Sequence, residues 1–224
     1  MPIFEGQFVS IVLIGRQNPQ ILNHNFLRTY KILPENEEPF KSLFAKKESE
    51  QFTEFVSTPV LTAIKYGPIA LVVEQNRYQI TDSRFDNPSS SPIIKITKNY
   101  FGEHLKYTPI TLGGINLNGN IKFDDPKDER TLDEKIGITF GTLESITEAA
   151  DIQIGITFFF PWHKGIIEVR LPRTKDSSQP RKINFNYEFM YQDIDSFLKN
   201  LDDIDQVYKK FIDLLQRLEI GGLQ

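Results

Sequence analysis

The stretch DSFLKNLDDIDQVYKKFIDLLQRL, residues Asp195 to Leu218, decides how the rest of the chain is read. Phe197, Leu201, Ile204, Tyr208, Phe211, Leu215 and Leu218 recur at steps of four and three, the spacing of one helical face. Leu198, Val207, Ile212 and Leu214 widen that face beyond a coiled-coil seam. Asp193 or Asp195 can cap the first turn, and Gly221 with Gly222 can close the helix in a left-handed conformation. Asp202, Asp203 and Asp205 sit early, and Lys209, Lys210 and Arg217 late, as the helix dipole favours. Burying seven large apolar side chains at about 1.5–3 kcal/mol each yields roughly 10–20 kcal/mol before entropy is counted. Packing therefore dictates this helix, and the packing partner has to be a broad apolar sheet.

The remaining composition allows such a sheet. The chain has 224 residues, enough for a full core in a single domain spanning 1–224, and its 18 Phe and 8 Tyr make it rich in aromatics. A formal charge of −4 speaks against a protein that coats nucleic acid, so nucleic acid is not the expected partner. With no cysteine there is no disulfide framework, thiolate metal site or cysteine nucleophile. The apolar run Phe8 to Ile14 is too short to span a bilayer and no longer one follows. No membrane association and a cytoplasmic location are the expectation.

Outward from the C-terminal helix, the elements come in a repeating order. Gln7 to Gly15 reads as a strand covered on both faces, and Asn18 with Pro19 as the capped start of a short helix. Pro34 to Glu50 reads as a surface loop with one helical turn. Phe52 to Asp82 reads as a strand meander broken at Gly67-Pro68 and near Asn76. A helix from Pro92 to about His104 turns Ile93, Ile96, Tyr100 and Phe101 inward. Ile115, Leu117, Gly119, Ile121 and Phe123 alternate with Asn116, Asn118, Asn120 and Lys122, a half-buried strand with a bulge expected at Gly113-Gly114. Asp124 to Arg130 reads as a charged turn, Lys135 to Phe140 as a strand and Leu143 to Ala150 as a helix. Ile154 to Phe158, Ile166 to Leu171 and Ile183 to Met190 read as strands, the last two joined by the loop Pro172 to Arg181. The expected fold is α+β: curved antiparallel sheet packed by helices on one side, ending in a long amphipathic helix. The order suggests a duplicated β-α-β-β-β-α unit with halves 1–106 and 108–224. The one clear sequence recurrence, Ile-Gly-Ile-Thr-Phe at 136–140 and 154–158, lies inside the second half.

Candidate chemistry is sparse. His24, His104 and His163 have no second histidine at metal spacing, and Asp124, Asp125, Asp128 and Glu129 lack the order of a calcium loop. No phosphate-binding loop or nucleophile elbow is present, so neither metal nor cofactor is expected. Asp151 with Glu168 and Arg170 loosely matches a metal-dependent nuclease pattern, but an arginine stands where that chemistry uses lysine. The same residues make an ordinary polar strand face. Arg170, Arg173, Lys175 and Arg181 form a basic hairpin that can dock an acidic protein. Phe158, Phe160 and Trp162, in the run FFFPW, cannot all share one face with their neighbours, and aromatics of this kind anchor protein interfaces.

The closing strand and cap, FNYEFMYQDID at 185–195, and the stretch TPITLGGIN at 108–116 resemble a sporadically distributed, uncharacterised bacterial protein family. That family brings no assigned activity. Its patchy occurrence implies accessory cargo, including components of defence or toxin–antitoxin-like systems. The expected function is a noncatalytic protein–protein interaction or assembly role, by self-association or with a protein partner. Alternatives are a binder of a small or lipid-like ligand between sheet and C-terminal helix, and a divalent-metal-dependent nuclease.

Overall fold

The computed structural model describes residues 2–47, 51, 54–84, 88–102, 104–136, 153–163, 165–174, 181–190 and 193–223. Strands β1 (Ile3–Gly15), β2 (Glu54–Ser57), β3 (Leu61–Tyr66), β4 (Ile69–Glu74), β5 (Arg77–Asp82), β6 (Ile110–Lys122), β7 (Gln153–Trp162), β8 (Gly165–Thr174), β9 (Arg181–Met190) and β10 (Gly221–Leu223) alternate with helices. The helices are α1 (His24–Thr29), α2 (Phe40–Phe44), α3 (Ile93–Gly102), α4 (Pro126–Lys135), α5 (Ile194–Asn200) and α6 (Ile204–Arg217). The class is α+β, with hydrogen-bonded strand order β2-β3-β4-β5-β1-β6-β9-β8-β7. Nine strands are antiparallel, and β10 lies parallel to the start of β1. Two compact units are present: an N-terminal one of Phe8–Asn116 with Glu188–Asp205, and a C-terminal one of Met1–Gln7, Leu117–Tyr187 and Gln206–Gln224.

In the N-terminal unit the register sorts the side chains into two faces. Ile11, Ile80, Leu71 and Ile64 stand opposite one another across four strands, and all are buried. One residue along, Val12, Gln79, Val72, Ala63 and Val56 form the corresponding row on the other face. Val56 on the edge strand is 51% exposed and the rest of that row is half-buried. The expectation that β1 is covered on both faces holds only in part: Val9, Ile11 and Leu13 are buried on one face, while on the other Ser10 is buried and Val12 and Ile14 are half-buried.

Helices pack against the buried face. The Tyr78 ring meets Tyr100 and Phe101 of α3 at 5.0 and 4.8 Å, and Phe40 of α2 meets Tyr66 at 5.8 Å. The Thr97 hydroxyl donates to the Ile93 carbonyl, so the Tyr78 hydroxyl, 3.1 Å away, donates to Thr97. The buried phenol is thereby satisfied, which spares the cost of an orphaned polar group. Burial also pushes the phenol pKa of Tyr78, Tyr100 and Tyr66 well above the ordinary tyrosine value. The Asp82 carboxylate is buried as well, and accepts from the Ser91 hydroxyl at 2.7 Å and from the Arg84 amide and guanidinium.

The C-terminal helix forms as α5, a 3-10 turn at Leu201–Asp203, and α6. Asp193 caps it, accepting from the Ser196 amide at 2.8 Å. Phe197, Leu201, Ile204, Phe211 and Leu215 are buried as the spacing predicts, but Val207 takes the buried place expected of Tyr208. In the C-terminal unit the Phe211 ring sits edge-on to Phe4 at 5.2 Å and to Phe185 at 5.1 Å. All three rings are buried, at 1% exposure or less. Gly221 and Gly222 do not stop the helix; they lie in β10. The left-handed residue is Glu219 (φ 56), with its amide bonded to Gln216 O and that of Ile220 to Leu215 O. This is the paired hydrogen-bond closure of a helix C-terminus, with Ile220 buried as its apolar plug.

A further correction concerns 124–136. The expected turn is the start of α4, with Asp125 as cap and Pro126 in its first turn, and Lys135 and Ile136 end that helix instead of opening a strand. The stretch 137–150, with the remainder of that strand and the expected short helix, lies outside the described residues.

Candidate functional site

The β7–β8 hairpin carries most of the residues singled out as a docking surface. Its register sets Phe158 opposite Val169, Phe160 opposite Ile167, and Ile156 opposite Leu171. Cross-strand partners point to the same face. Ile167, Val169 and Leu171 are buried, so Phe158 and Phe160 belong to the core face. Phe158 nevertheless remains 39% exposed, because β7 ends the strand order and pairs with β8 alone among the described residues. Phe160 is half-buried beneath the Lys210 ammonium of α6, 6.0 Å from the ring centre. Trp162 packs edge-on against Tyr187 at 4.9 Å, and the Tyr187 hydroxyl donates to the Trp162 carbonyl. Two of the three expected aromatics are thus held by neighbours.

The opposite face is the open one. Phe159 stands opposite Glu168, and Pro161 stands opposite Ile166. Phe159 is 67% exposed, Ile166 is 51% exposed and Pro161 is exposed. These three make a small apolar triangle on one strand face. Sequence reasoning passed over Phe159 and Ile166. The available signal was the parity of Ile167, Val169 and Leu171, which assigns the inward face of β8 and hence of its partner.

Of the four basic residues, the two whose side chains are described, Arg170 and Arg181, do not share a surface. Arg170 is exposed, with its Nε 2.5 Å from the Glu168 carboxylate, and that contact raises the arginine pKa further. Arg173 lies near the end of β8, opposite Ile154, and Lys175 lies outside the described residues. Arg181 is buried at 4% exposure, where it meets Asp133 of α4. Arg181 is therefore corrected from a surface cation to an internal one: a guanidinium with a carboxylate at hydrogen-bond distance tolerates desolvation, and an unpaired one does not.

Of the nuclease pattern, Glu168 and Arg170 are described. Asp151 lies outside the described residues and Glu168 is engaged by Arg170. Among the described residues no group of three or more His, Asp or Glu is placed to hold a metal. His24 bonds the Tyr66 hydroxyl through Nδ1 at 3.0 Å, His104 lies against Tyr30, and His163 occupies the left-handed turn between β7 and β8. No described helix is long and apolar enough to cross a membrane. No protein-family model and no curated protein matches the chain.

Proposed function

We propose that this chain is a noncatalytic interaction or assembly component that docks through β7, with Phe159 as the anchor. The observation that carries the reading is the exposure of Phe159 beside Pro161 and Ile166, with β7 pairing β8 alone among the described residues. An exposed aromatic loses much hydration on burial and little side-chain entropy, so such residues dominate interface energetics. As the last strand among the described residues, β7 also presents backbone donors and acceptors along the same element. A role that depends on partners also suits the family resemblance of residues 185–195 and 108–116.

Light scattering on wild type and Phe159→Glu tests the reading. The wild type is expected to self-associate or to bind a purified gene-neighbour protein, and Phe159→Glu to weaken that association at least tenfold without loss of fold. A wild type that stays monomeric and binds no neighbour, or a complex indifferent to Phe159→Glu, would remove the proposal.

A further inference from the structure

The N-terminal unit contains a cleft unrelated to β7. Its construction begins at the end of β1, where three consecutive amides are tied down. Gly15 N–H donates to Asn76 O at 3.0 Å, Arg16 N–H to Pro109 O at 3.0 Å, and Gln17 N–H to Gln75 O at 2.7 Å. Only a residue without Cβ allows this approach: a Cβ on Gly15 would lie 2.1 Å from Pro109 O. The side chains of Arg16 and Gln17 are thereby set against the segment that follows α3. Between them opens a cleft of about 510 Å³, also lined by Tyr100, His104, Tyr107 and Thr108.

Four features of the lining point to a ligand. Gln17 is only 9% exposed, yet its Nε2 meets no acceptor among the described residues. Leaving such a buried donor unmatched is unfavourable, and a ligand acceptor would offset that cost. Arg16 is exposed and makes no ion pair among the described residues, and no described lining residue is acidic. Tyr107 is 86% exposed, its ring packed by little except the Lys106 ammonium at 5.1 Å. The volume lies within the range that small-molecule sites occupy, roughly 300–1,000 Å³.

We infer that this cleft binds a small organic anion carrying a planar ring, of mononucleotide size. Arg16 takes the anionic group through its forked donors, Gln17 Nε2 donates to a second oxygen, and Tyr107 stacks on the ring. The site stands independently of the β7 surface, in a different unit, and its success or failure leaves the docking proposal where it was.

Isothermal titration of the full chain with nucleoside monophosphates, with the corresponding nucleosides and with inorganic phosphate tests the inference. The monophosphates are expected to bind with Kd below about 1 mM, and each fragment alone at least tenfold more weakly. Arg16→Ala should weaken monophosphate binding at least tenfold and Tyr107→Ala several-fold. Gln17→Leu should abolish binding while raising the Tm of the ligand-free protein, since it removes the orphaned amide and keeps the bulk. A structural role for Gln17 moves Tm the other way. No monophosphate binding at several millimolar, nucleosides binding as well as monophosphates, or affinity unchanged in Arg16→Ala would each overturn it.

Discussion

Arg181 Nη1 lies 2.5 Å from Asp133 Oδ1, and both side chains are almost shut off from solvent, at 1% and 11% exposure. The contact ties α4 to β9 within the C-terminal unit. Removing one member takes a partner at hydrogen-bond distance from a charge that is almost fully desolvated. Arg181→Met is therefore expected to cost about 3–5 kcal/mol, read as a shift of the urea midpoint. Added salt should leave the pair's contribution nearly intact, because solvent ions screen buried charges weakly. A loss below about 1 kcal/mol would mean that the pair behaves as an exposed one.

Gly15→Ala and Gly102→Ala should have opposite signs. The first sets a methyl 2.1 Å from a backbone oxygen, and backbone cannot swing aside as a side chain can. It should destabilise by about 3 kcal/mol. At Gly102, the last residue of α3, nothing lies within 4 Å of the added atom. Better helix propensity should there add up to about 0.5–1 kcal/mol. Thermal melts of the two variants decide it.

Lys31 and Glu219 both hold left-handed backbone, at φ 50 and 56, just past the ends of α1 and α6. Each end shows the same paired bonds, Ile32 N–H to Leu27 O and Lys31 N–H to Arg28 O in the first case. Glycine adopts this conformation without steric cost. Lys31→Gly should stabilise by about 0.5–1 kcal/mol. Glu219→Gly should gain less, because it also removes the exposed ion pair with Lys135. A fall in Tm for Lys31→Gly would contradict this account.

The helix cap predicts an acid dependence. Hydrogen bonds from the Ser196 amide, then from its hydroxyl, hold the Asp193 carboxyl below its ordinary value. A lowered folded-state pKa means that this contribution is complete above about pH 4 and is lost as pH falls through the lowered value. Asp193→Asn still caps but cannot titrate. Its Tm should equal that of wild type near neutrality and decline less steeply below pH 4, in melts run across that range.

Tyr66, Tyr78 and Tyr100 predict the alkaline limb. Burial raises all three, so the stability they confer is full below about pH 10 and is lost as pH rises beyond it. Ultraviolet titration should show three phenols ionising only with unfolding. Tyr78→Phe should cost about 0.5–1.5 kcal/mol, since Thr97 keeps its bond to Ile93 O.

The elements whose apolar residues repeat at a clear period were legible: the strand meander before Asp82, α3, the alternating part of β6 and most of the C-terminal helix. The α4 segment was not, because Leu132 is its one fully buried apolar residue and charges dominate the rest. Its signal was the Asp125-Pro126 pair, a cap followed by proline. Arg181 failed for a different reason. Its partner lies 48 positions away, and nothing local distinguishes a basic residue in a polar loop from one that will be buried. The docking surface was half legible: strand alternation says that one of two neighbouring phenylalanines faces outward, and only the partner strand says which.

The two compact units draw on five segments of chain, so the backbone passes between them at four junctions, three inside β1, β6 and β9 and one just after the start of α6. No cut at one peptide bond can release either unit whole. During synthesis neither can be finished until the closing helix has left the ribosome, long after Phe8–Asn116 has emerged. Fragments ending before Asp205 should accordingly be prey to proteases, and a stable half-molecule is not to be sought by truncation.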